Sequence, residues 1–306
     1  MDPIHEEGQL FEYPFIIAGK HPLTHFRGFY GLLLERLSGF SYAVYLNEFS
    51  ESFLENYQGH IICLAAHYAE ELCQRKRRYK VILISHGPIP MSWRAPEMLY
   101  ADHLIDNGSP ELIQKIDFSG VKQICTAGYF PTDYFLDQRK EKLALVQMTT
   151  HSPGHSWQDR CYFSLREICR SLQAEGFEVC VYNHLMYPSD LSEISPKIRI
   201  VQPGLDYIHT LSSCSHFVFT GTSGFITNAS RPGCHMCAIS TDWIEKNSSL
   251  FREVLYETCH VAESWENLLH CLSLPPKNYA DIAQYLYGDD RHNVISKINR
   301  YLQSLM

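Results

Sequence analysis

Residues 80–90 read KVILISHGPIP. After its first lysine, Lys80 to Ile84 is apolar without interruption, and Ser85-His86-Gly87-Pro88 ends the run. A continuous apolar run, rather than an alternating one, is what a strand covered on both faces of a parallel sheet requires. Gly87 and Pro88 punctuate the strand end, and His86 stands at the mouth of the sheet, where the glycine permits close backbone approach.

The same pattern repeats outward. Upstream, Tyr13 to Ala18, Tyr42 to Leu46 and His60 to Ala65 read as strands, alternating with helices near Thr24 to Leu37, Ser50 to Tyr57 and Tyr68 to Arg77. Downstream come strands at His103 to Asp106 and Gln123 to Ala127, with a helix over Pro110 to Ile116 between them. The charged, turn-prone stretch Asp137 to Lys142 then interrupts the rhythm, which restarts with a strand at Leu143 to Met148. Arg160 to Glu175 and Asp206 to Cys214 are helical; Glu178 to Tyr182, Ile198 to Gln202, His216 to Thr220 and His235 to Ser240 are strands. Three helices follow, over Ser264 to Leu272, Tyr279 to Tyr287 and Asp290 to Leu305.

Alternating strands and helices of this kind predict an α/β protein with parallel sheets. Two successive units are expected, as two Rossmann-like domains facing across a cleft with a helical C-terminal tail. The predicted boundaries are 1–138 for an acceptor domain, 139–275 for a nucleotide-donor domain, and 276–306 for a tail that packs back on the first domain. The length of 306 residues agrees with two domains at roughly 150 residues each.

Composition narrows the function classes. Hydrophobic residues make up 45% and charged residues 20%, which excludes a disordered chain. The net charge of −8 gives no electrostatic footprint for nucleic acid. The eleven cysteines are odd in number and sit mostly in apolar runs, such as Cys63 and Cys180, where a free thiol packs as a small hydrophobe. Cys234 and Cys237 spell C-x-x-C, but no second pair follows at zinc-site spacing, so burial is the expected role. The acidic start MDPIHEEGQLFEYP lacks a signal pattern, and no window approaches eighteen apolar residues. A cytoplasmic, reduced protein is expected, with peripheral contact to the inner membrane face as a further reading of the run Arg75-Lys76-Arg77-Arg78.

Parallel sheets bind ligands at the carboxyl ends of their strands, and four strand ends carry candidate chemistry. His86 has the proton affinity of a general base for an acceptor hydroxyl. His184 follows the strand EVCVY and is placed to meet phosphate oxygens. Thr220-Gly221-Thr222-Ser223-Gly224 opens a helix, where hydroxyls and free N–H groups make an anion site. His151 and His155, in TTHSPGHSW, are four apart, but Pro153 and Gly154 forbid the helix that would pair them on a metal. They are read as phosphate-reaching groups instead. No Walker loop and no G-x-G-x-x-G is present, so neither a standard P-loop nor a dinucleotide cofactor is expected.

In this order the elements resemble GT-B-type transferases, and among them the CDP-glycerol glycerophosphotransferase family of teichoic acid and capsule enzymes. The resemblance spans residues 80 to 242. It rests on His86-Gly87-Pro88-Ile89-Pro90, on Tyr100 to Ile105 followed by Ala127-Gly128-Tyr129-Phe130-Pro131-Thr132-Asp133, on His184, and on Thr222-Ser223. It implies that His86 is the base on the acceptor, that His184 contacts the donor phosphate, and that Thr222 and Ser223 supply hydroxyls. The implied activity is metal-independent transfer of a glycosyl or glycerophosphoryl group from a nucleotide-activated donor to a sugar or polyol hydroxyl. The nucleotide enters as substrate, with no cofactor and no metal. Two alternatives stand beside this. One is a non-hydrolysing nucleotide-sugar 2-epimerase. The other is a non-catalytic protein of the same fold, favoured by Thr227-Asn228 where related enzymes often hold an acidic residue for the donor ribose.

Overall fold

The computed structural model describes residues 4–18, 33, 35–85, 99–128, 141–147, 165–183, 191, 194–202, 205–220, 234–239, 249–288 and 293–306. It divides into two compact units, Met1–Asp133 with Leu286–Met306, and Tyr134–Tyr285.

The first unit is built on a six-stranded sheet of β1 (Phe15–Ala18), β2 (Tyr42–Tyr45), β3 (His60–Cys63), β4 (Lys80–Ile84), β5 (Ala101–Asp106) and β6 (Val121–Thr126). Its order is β2-β1-β3-β4-β5-β6, and every pairing is parallel. The apolar runs are continuous because both faces are covered: Ile61, Ile62, Val81 and Ile82 are all fully buried. Helices α1 (Glu7–Leu10), α2 (Glu51–Asn56), α3 (Ala66–Gln74) and α4 (Pro110–Gln114) belong to this unit. Local chemistry sets their starts. Ser50 accepts from the Phe53 amide, and Ser109 accepts from the Leu112 amide with Pro110 in the first turn.

The second unit holds a parallel sheet of β7 (Leu143–Gln147), β8 (Glu178–Tyr182), β9 (Arg199–Val201), β10 (His216–Thr220), β11 (His235–Ile239) and β12 (His260–Ala262), in the order β12-β11-β10-β7-β8-β9. Its helices are α5 (Leu165–Ala174), α6 (Leu205–Ser213), α7 (Ser249–Thr258), α8 (Trp265–Ser273) and most of α9 (Tyr279–Tyr287). One face of the core gathers Val146, Ile168, Leu172, Val181, Val218 and Leu268. Three elements differ from the sequence expectation, the one-turn helix α1 among them. Helix α7 and strand β12 were not anticipated; β12 has three residues, too few for periodicity to register, and is stabilised by pairing with Cys237–Ile239 of β11.

The last helix, α10 (Val294–Gln303), docks on the first unit through named contacts. The Asn299 side chain accepts from the Ser38 amide at 2.9 Å, and Tyr301 Oη lies 3.0 Å from His103 Nδ1. The Ser109 amide donates to the Leu286 carbonyl at 2.7 Å. The helical tail is thus part of the first unit from Leu286 onward. Cys234 and Cys237 are buried and form no disulfide.

Candidate functional site

Strand order locates the ligand edges. In the first sheet the chain leaves β1 for β2 and returns on the other side with β3; in the second it runs β7, β8, β9 and returns beside β7 with β10. These reversals are topological switch points, where open parallel sheets form a crevice at the carboxyl ends of the flanking strands. In the second sheet those ends are Gln147 of β7 and Thr220 of β10.

The sequence candidates follow the carboxyl ends of four strands, of which β7 and β10 flank a switch point. His86 comes two residues after β4, His151 and His155 follow β7, His184 comes two residues after β8, and Gly221, Thr222 and Ser223 follow β10 directly. All seven lie outside the described residues, as do Thr227 and Asn228. The structure therefore speaks to the strand ends that carry them.

At the end of β4 the structure describes a buried polar cluster. Ser85, the residue before His86, is 7% exposed, and Asp106 at the end of β5 is fully buried. Ser85 Oγ donates to Asp106 Oδ2 at 3.0 Å, and Asn107 Nδ2 donates to the Ser85 carbonyl at 2.8 Å. Asp106 Oδ1 also accepts from the Gly108 amide at 2.6 Å. Gly108 is required there, since a Cβ would sit 2.8 Å from that carboxylate oxygen. Gly128 closes the neighbouring edge with φ of +81°, just after the Ala127 amide donates to the Asp106 carbonyl at 2.9 Å. Asp106, Asn107 and Gly108 thus clamp both the side chain and the carbonyl of the residue from which His86 departs. The tetrapeptide Asp106-Asn107-Gly108-Ser109 carries the signal in sequence, as a turn composition directly after a strand, but reads there as an ordinary loop.

At the end of β7 stands Gln147, fully buried and in register with Tyr182 of β8 and Phe219 of β10. Its Oε1 accepts from Tyr207 Oη at 3.3 Å, and the Tyr182 and Tyr207 rings lie 4.3 Å apart. Burial pushes the Tyr182 hydroxyl up to about 12, so it is a neutral donor at any physiological pH. Tyr207 lies in the first turn of α6. Beside it Asp206 accepts from Arg199 Nη1 at 2.8 Å and from the Gln202 amide at 2.8 Å, which compensates its charge.

The histidines that the structure does describe in the second sheet occupy the opposite edge. His216, His235 and His260 open β10, β11 and β12, with ring centroids 5.1 and 5.0 Å apart. His235 is 3% exposed; burial, followed by the like charges of His216 and His260, lowers it to about 4. Burial also lowers His216. His235 is thus a neutral core side chain. Among the described residues no group of three or more His, Cys, Asp or Glu could hold a metal ion, and no helix is long and apolar enough to cross a membrane.

The basic run after α3 is partly spent internally. Arg77 pairs with Asp102, a 3%-exposed carboxylate that also accepts from Lys122 Nζ at 2.7 Å and the Val81 amide at 2.9 Å. Burial opposes charging Asp102, but the Arg77 and Lys122 hydrogen bonds outweigh it and hold the carboxyl well below its usual range. Arg75 pairs with Glu71 at 2.9 Å. Two of the four cations in that run are therefore matched to carboxylates of the same chain, which weakens its reading as a lipid-headgroup patch.

No protein-family profile matches the chain, and no curated protein matches it in sequence. Solved structures do match. The wall teichoic acid polymerase TagF superposes with a TM-score of 0.58 at 11% identity, over 98% of this chain and 90% of that one. A variant of that polymerase gives 0.59 at 11% identity over the same shares. The chain carries a GT-B-like fold. A UDP-GlcNAc 2-epimerase from Methanocaldococcus jannaschii aligns at a TM-score of 0.48 and 11% identity, over 95% of this chain and 99% of that one. What the TagF likeness establishes for this GT-B-like chain is architecture, at identities where side-chain roles do not transfer.

Proposed function

We propose that this protein is a metal-independent transferase of surface-polysaccharide synthesis. It moves a glycosyl or glycerophosphoryl group from a nucleotide-activated donor to a sugar or polyol hydroxyl. One observation supports the reading above the rest: the candidate residues all follow carboxyl ends of strands in parallel sheets, and two of those strands flank a topological switch point. In this reading His86 accepts the proton of the attacking hydroxyl, on a chain segment whose origin is held by Asp106 and Asn107. His184, Thr222, Ser223 and the Gly221 backbone would bear on the leaving phosphate, with His151 and His155 reaching the same group. Hydrogen-bond donors aimed at charge that develops in the transition state then take the part a divalent ion plays elsewhere.

The test is a thermal-shift panel of CDP-, UDP-, GDP- and CMP-linked donors, followed by a transfer assay with the donor that stabilises the fold. Stabilisation by one nucleotide family is expected, with turnover lost in His86→Ala and the melting temperature retained. No stabilisation by any donor refutes the reading. Donor binding with turnover absent from the native protein and from His86→Ala alike assigns it to a binding role instead.

A further inference from the structure

The C-x-x-C pair legible in the sequence is not the pair that the fold assembles. Cys234 precedes β11 and Cys237 lies within it, and an odd spacing along a strand turns side chains to opposite faces. Cys237 instead shares an apolar cluster with Cys271 of α8, Val218 and Leu268. Its thiol is in side-chain hydrogen-bond contact with the Cys271 thiol. Further contacts fix Cys271 over the sheet. Its Sγ–H donates to the Val261 carbonyl of β12 at 3.6 Å, and the sulfur lies 3.9 Å from Asn267 Oδ1, one turn earlier on α8. The ring of His235, two residues before Cys237 on the same face of β11, bonds the Cys271 backbone. Strand and helix thus bring together two thiols that are distant in sequence, and no disulfide joins them.

We propose that Cys237 and Cys271 are a redox pair, a dithiol in this structure that a peroxide oxidises to a disulfide stapling α8 to β11. Cys271 reacts first. It is 4% exposed, in the last turn of α8 beside the exposed His270, whereas Cys237 is fully buried. The Cys271 sulfur attacks one peroxide oxygen, the O–O bond breaks, and the departing hydroxide takes the thiol proton and leaves as water. Cys271 is then a sulfenic acid. The Cys237 sulfur attacks the Cys271 sulfur, the S–O bond breaks, and the hydroxide released takes the Cys237 proton as a second water. Two thiols lose two electrons and one peroxide is reduced to two waters. The electrostatics run in the same sense. The hydrogen bond from Cys237 holds the Cys271 thiol below the ordinary cysteine value against its burial, and the same bond together with burial pushes Cys237 up. The more acidic thiol is therefore the outer one, and its resolving partner already touches it. Nothing in this pairing depends on the ligand of the second unit.

The experiment treats the reduced, folded full-length protein with hydrogen peroxide, blocks the remaining thiols by alkylation, and maps the digest by mass spectrometry. A peptide pair joining Cys237 to Cys271 is expected, lighter by the hydrogen atoms lost and separated again by dithiothreitol. The oxidised chain should melt roughly 5–10 °C above the reduced one, since the bond closes the chain between β11 and α8 and restricts the unfolded state. In Cys271→Ala the peroxide should leave the melting temperature where it was. A link between Cys234 and Cys237 in place of the expected one overturns the proposal. So does a Cys271 that passes to sulfinic acid without pairing, or a Cys237–Cys271 link that forms only in urea. A link that brings no rise in melting temperature overturns the staple, as does an equal rise in Cys271→Ala, which would assign the shift to other thiols. Should Cys271→Ala fail to fold, the peptide map of the native chain decides by itself.

Discussion

Lowering the pH from 7 to 5 is expected to destabilise this protein through His235, and the size of the effect follows from where the ring sits. It is enclosed between His216 and His260 at the amino edge of the second sheet, 3% exposed, with burial as the main reason that its folded-state value drops from 6.5 to about 4. The backbone at Cys271 pulls in the opposite direction and is the smallest of the influences on it. The sign is fixed by linkage. Above pH 6.5 the ring is neutral in both states and contributes nothing. As pH falls from 6.5 toward 4 the unfolded chain takes up a proton that the folded chain refuses, so stability is lost across that window. The gap between 6.5 and about 4 is worth about 3 kcal/mol once both states are protonated, and about 2 kcal/mol of it is lost by pH 5. His216, lowered by the same burial, adds to the same trend, so the contribution must be isolated by difference. Urea unfolding of the native chain and of His235→Phe, at pH 7 and pH 5, does this. The phenylalanine keeps a ring in the stack and cannot be protonated. The native chain should lose about 2 kcal/mol more than the variant between the two pH values. Equal pH dependence in the two proteins, or a His235 ring proton titrating near 6.5 by NMR, would refute the reasoning.

Asp102→Asn is expected to destabilise the first unit by about 2–4 kcal/mol in urea unfolding at pH 7, since it strips the partner from the 16%-exposed Arg77; exposed Lys122 adds little. The Asp102 carboxyl is depressed, so its stabilisation is present above pH 4 and drains as pH falls through and below the ordinary carboxylate range; Asp102→Asn should flatten the acid limb of the profile. Asn107→Ala leaves the Ser85 carbonyl without that donor, and we expect a cost of about 1–2 kcal/mol in unfolding. With a transfer assay in hand, the same variant should lower turnover while leaving nucleotide affinity unchanged if the proposed function holds, since that reading makes His86 the displaced base and puts the nucleotide in the second unit.

Much of the fold was legible one run at a time. Strands such as Lys80–Ile84 and Glu178–Tyr182 are continuous in apolar residues because both of their faces are covered, and that pattern survives in any single-chain reading. Helix starts at Ser50, Ser109 and Ser264 were equally local, since a cap needs only its own next turn. Strand β12 was not, because its three residues are held by β11 rather than by their own propensity. In the run Arg75 to Arg78 the exposed Arg75–Glu71 pair is a local contact one helical turn apart, but the Arg77–Asp102 pair spans 25 residues of sequence and no local pattern announces it.

By itself, then, the sequence determined that this is a two-unit α/β chain with parallel sheets, and that its histidines and hydroxyls of interest follow strand ends. Those are properties of neighbours along the chain, written in hydrophobic period and turn composition. Only the tertiary structure decided which strands are adjacent. Adjacency made β7 and β10 the flanks of a switch point, closed Ser85 onto Asp106 and Asn107, and set Tyr207 against Gln147 across 60 residues of sequence. A buried polar group acquires its meaning from what lies opposite it, and no local pattern records that.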